Sequence, residues 1–222
     1  MTKTNYHYFR DDEVKTSYDH FKKYFLGSVF YSNSTIIRKE IIKKSIKKFS
    51  KESNFDNDYF LEFGVFNGQS TNIFAKQLKK CDKNIFAFDS FEGLSEDQLG
   101  HLDNYTGQFD KSKKIPDLDK NVTPVVGWIQ NTLPKFISEK FNEKSKIRFV
   151  HIDVDTYETT KFILIEIRKY LEKDSIILFD ELYNMPGWSV GEYKALQEVF
   201  SENDYAFIGF SAYGEQAAIK MN

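Results

Sequence analysis

The residues best suited to chemistry in this 222-residue chain sit in four short stretches, each closing an apolar run. The first is Leu61-Glu62-Phe63-Gly64-Val65-Phe66-Asn67-Gly68-Gln69-Ser70-Thr71. Gly64 and Gly68 let a ligand approach the backbone before a helix begins. Their spacing lacks the tight pyrophosphate turn of a Gly-x-Gly-x-x-Gly motif, and Glu62 suits a cationic ligand group better than a phosphate. The second stretch, Phe86-Ala87-Phe88-Asp89-Ser90, offers Asp89 as an acceptor for both hydroxyls of a ribose. Asp89 or Ser90 could equally cap a turn, but with Glu62 the pair reads as a nucleoside site. The third and fourth stretches are His151-Ile152-Asp153-Val154-Asp155-Thr156 and Phe179-Asp180-Glu181. Asp153, Asp180 and Glu181 at adjacent strand ends would repel one another unless protons or a divalent cation intervened, and an all-oxygen set suits Mg²⁺. Asp155, followed by Glu158, reads as the N-cap of a helix. His151 reads as a satisfied core residue rather than a ligand.

These side chains need elements to hold them. Apolar runs predict strands at Tyr59–Phe63, Asn84–Asp89, Val122–Val126, Ile147–Asp153 and Ser175–Asp180, with helices near 69–80, 128–142, 156–172 and 189–202. The alternation implies βαβ units and a largely parallel sheet, whose ligands bind beyond the carboxyl ends of the strands. Tyr205–Phe210 and Glu215–Lys220 flank a short turn and predict an antiparallel hairpin. Residues 91–120, with Gly93, Gly100, Gly107 and Pro116 and no sustained period, read as a lid. Residues 1–54 are polar and contain one amphipathic helix, with Ile37, Ile41, Ile42, Ile46 and Phe49 on one face. Arg38, Lys39, Lys43, Lys44, Lys47, Lys48 and Lys51 are assigned to the other, read as a solvated face.

Composition narrows the class. A net charge of -2 argues against a general nucleic-acid binder, and 27 Lys against 4 Arg argues against dedicated phosphate recognition. No run approaches the length needed to span a bilayer. The lone Cys81 and an N-terminus without an apolar stretch point to a cytoplasmic protein. The many rings near the N-terminus, among them Tyr18, Phe21, Tyr24, Phe25 and Phe30, need something to pack on, either their own domain or a second copy in a homodimer.

At these motifs the sequence resembles the class I S-adenosylmethionine-dependent methyltransferases, and within them the macrocin-type (TylF-like) sugar O-methyltransferases. The segments that carry it are Leu61–Ser70, Ala87–Leu94, Gly127–Pro134, His151–Thr159 and Ile177–Tyr183, in the family's order. The resemblance implies a seven-stranded Rossmann-like α/β fold of order 3-2-1-4-5-7-6, with a methyltransferase domain over 55–222 and a helical extension over 1–54. It implies a cofactor site in which Glu62, Gly64, Gly68 and Ser70 surround the amino-acid end, Asp89 meets the ribose, and Ser90 and Trp128 lie near the adenine. It places Asp153, Asp180 and Glu181 at the family's metal-ligand positions, so that Mg²⁺ would orient a vicinal-diol acceptor such as a sugar and lower its hydroxyl pKa. Related catechol enzymes carry a Lys where this chain has Thr156, which leaves the base open; His101 in the lid is the candidate offered here, and Asp153 is counted as catalytic through the metal it would hold.

Two other readings compete. Val150–Thr156 also resembles the Asp-x-Asp-x-Thr start of haloacid-dehalogenase-type phosphatases, with Asp153 as nucleophile and Asp155 as general acid. A methyltransferase-like fold kept as a non-catalytic binding module is the other, disfavoured by the convergent carboxylates it would have no reason to keep buried.

Overall fold

The computed structural model describes residues 3–49 and 57–222. Its centre is an eight-stranded sheet in the order β1-β7-β8-β6-β5-β2-β3-β4. The strands are β1 (Val29–Tyr31), β2 (Asp58–Phe63), β3 (Ile85–Asp89), β4 (Val122–Val126), β5 (Lys146–Ile152), β6 (Leu171–Phe179), β7 (Tyr205–Ser211) and β8 (Ala217–Met221). From β2 onward these are the seven strands expected, in the expected order, with β8 antiparallel to both β6 and β7. The eighth strand is a correction: Val29–Tyr31 pairs parallel with β7 and extends the sheet at that edge. Three residues are too few to show alternation, so nothing in the sequence marks them.

The helices are α1 (Asn5–Phe25), α2 (Ser34–Phe49), α3 (Gln69–Leu78), α4 (Ile129–Lys140), α5 (Tyr157–Ile167) and α6 (Glu192–Val199). The last four match the expected segments with shorter ends; residues 171 and 172, expected in the helix, belong to β6. α1 falls within the helical extension expected over 1–54 but carries no period of its own in the sequence. It buries only Ser17 and Phe21 fully, too sparse a stripe to register as a period. Phe21 nonetheless packs edge-on against Tyr183, Trp188, Tyr193 and Phe207, and Phe25 and Phe30 pack on Phe210. These rings thus pack on their own domain.

α2 lays Ile37, Ile41 and Ile42, all fully buried, against the sheet face that carries Phe60, Phe149 and Leu178. The expected periodic face is therefore present through Ile42, while Lys51 and the boundary expected at 54–55 lie outside the described residues. The opposite face of the sheet holds the larger core, from Phe63, Ile152 and Phe179 to α4, α5 and α6. Among the described residues, no helix is long and apolar enough to cross a membrane.

Candidate active site

The four chemistry-bearing stretches do meet at the carboxyl ends of the central strands. Backbone bonds carry the ladder one residue past the strands: Gly64 N to Phe88 O, Asp153 N to Phe63 O and Asp180 N to Ile152 O, each at 2.9 Å. Gly64 has φ 86°, and a Cβ there would lie 1.7 Å from the Asp153 carbonyl oxygen. Only glycine lets β2 turn away this close to β5.

Beyond this turn opens a cavity of about 280 Å³ lined by Gly64, Asp89, Ser90, Trp128, Asp153 and Glu181, with apolar walls from Phe88 and Ile129. Asp89 holds the turn together. Its Oδ2 accepts from Val65 N at 2.7 Å and Phe66 N at 2.9 Å, and its Oδ1 accepts from Phe91 N at 2.7 Å. A carboxylate has about four lone-pair sites. Asp89 therefore combines the two roles the sequence left open: it fixes two loops and keeps room for a single ligand hydroxyl, not two.

The acidic residues divide into two groups, because side chains alternate across a sheet. Glu62, paired in register with His151, faces α2; Asp153 and Asp180 point to the same side, and Glu181 to the other. In the first group both Glu62 and His151 are fully buried, with Glu62 Oε1 3.0 Å from His151 Nδ1 and His151 Nε2 3.5 Å from Asp180 Oδ1. Into this group comes Arg38 of α2. Its Nη2 donates to Asp180 Oδ1 in a short charge-assisted bond and lies 3.5 Å from Asp153 Oδ2. Burial opposes every charge here, yet His151 and Arg38 hold Asp180 down to about 2, and Asp180 and Glu62 lift His151 to about 9. Burial, reinforced by the Asp180 charge, pushes Asp153 above the usual carboxylate range. Arg38 thus leaves the solvated face to which its neighbours were assigned.

The second group is Asp155, Glu181 and Glu192. Asp155 has φ 63° and precedes the N-cap of α5, which is Thr156. It is not the cap that the sequence suggests; its carboxyl instead lies beside that of Glu181. Burial raises Asp155 to about 6 and lifts Glu181 and Glu192 well above the normal range. Carboxyls this close and this buried do not ionise independently. Glu181 also accepts from Gln98 Nε2 of the 91–120 segment, and its backbone N–H donates to Glu192 Oε2 at 3.0 Å.

The expected metal triad is therefore not assembled. One atom each of His151, Asp153 and Asp180 lies within 4.8 Å of the others, a spacing open to a metal ion. Arg38 already pairs with Asp180 and stands beside Asp153, and Glu181 is turned to Gln98 and Asp155. As arranged, these residues do not fit Mg²⁺ held by Asp153, Asp180 and Glu181.

A second cavity, of about 290 Å³, adjoins the first, and Asp155 and Glu181 line both. The 91–120 segment walls the two together, with Leu94 and Phe109 on the first and Glu96 to Leu99 on the second. The remaining site candidates stand back from both. Glu62 is sealed behind the first cavity, Gly68 and Ser70 begin α3, and Asp180 faces Arg38. His101 lines neither cavity; burial lowers its pKa, and its Nε2 has no partner among the described residues. The structure does not bring it to the acids.

A family model for the methyltransferase domain matches residues 61–182, from the first glycine turn through Asp180 and Glu181. The chain belongs to this methyltransferase family. Solved structures share its fold. CalS11, a calicheamicin methyltransferase, superposes with a TM-score of 0.67 at 19% identity over 99% of this chain and 94% of that one. The O-methyltransferase NovP gives 0.56 at 15%, covering 84% and 80%. An O-methyltransferase from Bacillus cereus, in complex with S-adenosylhomocysteine, gives 0.52 at 12%, covering 95% and 91%. No curated protein matches the chain in sequence. The phosphatase-like reading of Val150–Thr156 falls, since the family match spans that segment.

In this S-adenosylmethionine-dependent methyltransferase the first cavity combines the apolar side chains of Phe88 and Ile129 and the ring of Trp128 with the carboxylate of Asp89. The sequence reading missed Arg38, Asp155 and Gln98. Arg38 carried a signal, being one of 4 Arg among 27 Lys and lying three and four residues before Ile41 and Ile42, on the apolar stripe.

Proposed function

We propose that this methyltransferase transfers a methyl group to a hydroxyl of a sugar or a similar polar small molecule, in the manner of the TylF-like O-methyltransferases. The donor occupies the first cavity and the acceptor the second. The observation that carries this reading is the wall shared by the two cavities, formed by Asp155 and Glu181. Asp89, Ser90 and Trp128 hold the nucleoside. S-adenosylmethionine bound there supplies a methyl group on a sulfonium, ready for in-line displacement.

The chain's own part is alignment and proton removal. Fixed walls set acceptor and methyl in a near-attack geometry. Asp155, ionised at neutral pH with its pKa near 6, takes the hydroxyl proton as the new oxygen–carbon bond forms and the carbon–sulfur bond breaks. It replaces His101 as the base. Magnesium, expected from the sequence, has no part in this reading, so the acceptor need not be a diol.

The second cavity also bears on acceptor charge. Glu96, Asp97, Asp155, Glu158, Glu181 and Glu192 line it against Lys194 alone. CalS11 is a TDP-rhamnose 3'-O-methyltransferase, which supports a sugar acceptor; the carboxylates here favour one without a phosphate. Titration calorimetry with S-adenosylhomocysteine, followed by methyl transfer from S-adenosylmethionine to neutral, amino and nucleotide-linked sugars, tests both parts. One-to-one binding with transfer to the first two classes is expected. No binding would overturn the reading, and transfer to nucleotide-linked sugars alone would overturn the acceptor assignment.

A further inference from the structure

We propose that Arg38 is the resident cation of the strand-end carboxylates, and that it and a divalent metal ion compete for Asp153 and Asp180. The guanidinium comes from α2, outside the matched 61–182 segment, and reaches the site because Ile37, Ile41 and Ile42 seat that helix on the same sheet face as Glu62 and His151. Its side chain is 14% exposed, as is that of Asp180, which it contacts directly. Asp153 Oδ2 lies 3.5 Å away. The carboxylates of Asp153 and Asp180 are also the ones that, with His151, lie close enough together to ligate a metal.

Both occupants cannot hold these oxygens at once. A hard divalent cation demands short, near-octahedral oxygen contacts and would need the Asp180 oxygen to which Arg38 donates. It would also leave the guanidinium half-sealed beside a second positive charge, which is strongly unfavourable. Arg38 incurs neither cost: its Nη2 donates to Asp180 and stands beside Asp153, it is charged at every working pH, and α2 delivers it without stripping a hydration shell as tight as that of Mg²⁺. Glu181, which could have tipped the balance toward a metal, is held by Gln98 and Asp155 on the other side. The consequence is an enzyme whose strand-end charge is set by its N-terminal segment.

The test uses the full chain, stripped with chelator, and reads binding of Mn²⁺ from the loss of its free electron-paramagnetic-resonance signal. Wild-type protein is expected to bind no stoichiometric Mn²⁺, and Arg38→Met to bind one ion per chain that Asp180→Asn, added to it, abolishes. Arg38→Lys keeps a cation on α2 and is expected to exclude Mn²⁺ as the wild type does. One tight Mn²⁺ on the wild type overturns the proposal with no variant needed. Absence of binding in a folded Arg38→Met overturns the competition. Because the readout follows the carboxylates and not turnover, it is independent of whether the acceptor has been found; failure to bind S-adenosylhomocysteine would be a separate result.

Discussion

On the proposed reading, replacing Asp155 and replacing Asp89 separate proton transfer from cofactor binding. Asp155 acts only when ionised, so the methyl-transfer rate should rise with pH through about 6 and then level. Asp155→Asn should lower kcat by about 10²–10⁴-fold and remove that rise while leaving S-adenosylhomocysteine affinity near wild type. An unchanged pH profile in this variant would return the base to an open question. Asp89→Asn replaces one acceptor by a donor facing backbone N–H groups. Bonds to a charged acceptor of this kind are worth about 1.5–3 kcal/mol, so cofactor affinity by calorimetry should fall about tenfold or more. Wild-type affinity would show that the carboxylate serves the loops alone. At this scale the sequence was partly legible. Gly64, Asp89 and Trp128 could be brought to one cavity from the sequence because each lies at or just past a strand end, while their roles toward a cofactor belong to the proposal. Glu181 and Asp180 could not be told apart, since the sequence shows them adjacent while the sheet sends them to opposite faces.

Among the elements, the strands and the helices between them follow from hydrophobic runs, and the seven expected strands need only changes of length at their ends. The N-terminal pieces were harder for physical reasons. α1 is anchored by one deeply buried ring and by polar contacts, such as Ser17 Oγ accepting from Asn184 N at 2.8 Å and His20 Nε2 lying 2.5 Å from Tyr193 Oη. Such anchors have no period. Phe21 therefore carries the docking of this helix, and Phe21→Ala should destabilise the protein by about 3–5 kcal/mol in urea unfolding. A loss below about 1 kcal/mol would mean that α1 contributes little to the fold. The 91–120 segment was legible as irregular, because its glycines at 93, 100 and 107 all take positive φ. Its reach across both cavities was not, since the contact of Gly100 with Gly187 and the bond from Gln98 to Glu181 join parts distant in sequence.

For the molecule as a whole, the buried ion cluster makes stability depend on pH. His151 is raised to about 9 from its ordinary 6.5, so its contribution is complete below about pH 6.5 and is lost as pH rises through about 9. Asp180 is held at about 2, below its ordinary 3.8, so its contribution is present above about pH 4 and is lost as pH falls through about 2. Chemical denaturation of wild type and His151→Gln should thus show a stability gap that is widest between these limits and closes toward pH 9. A gap that stays constant to pH 9 would mean that His151 is buried neutral. The pairing of β1 with β7 has another outcome, in the order of events during synthesis. Val29 lies opposite Gly209, so the first strand made must wait, unpaired, until most of the chain has left the ribosome. α2 need not wait with it, since it packs on α3, β5 and β6 as well as on β7. A nascent chain can therefore seat Arg38 as its parallel centre forms, so that Asp153 and Asp180 meet their cation as they come together, and only the edge strand is left for last.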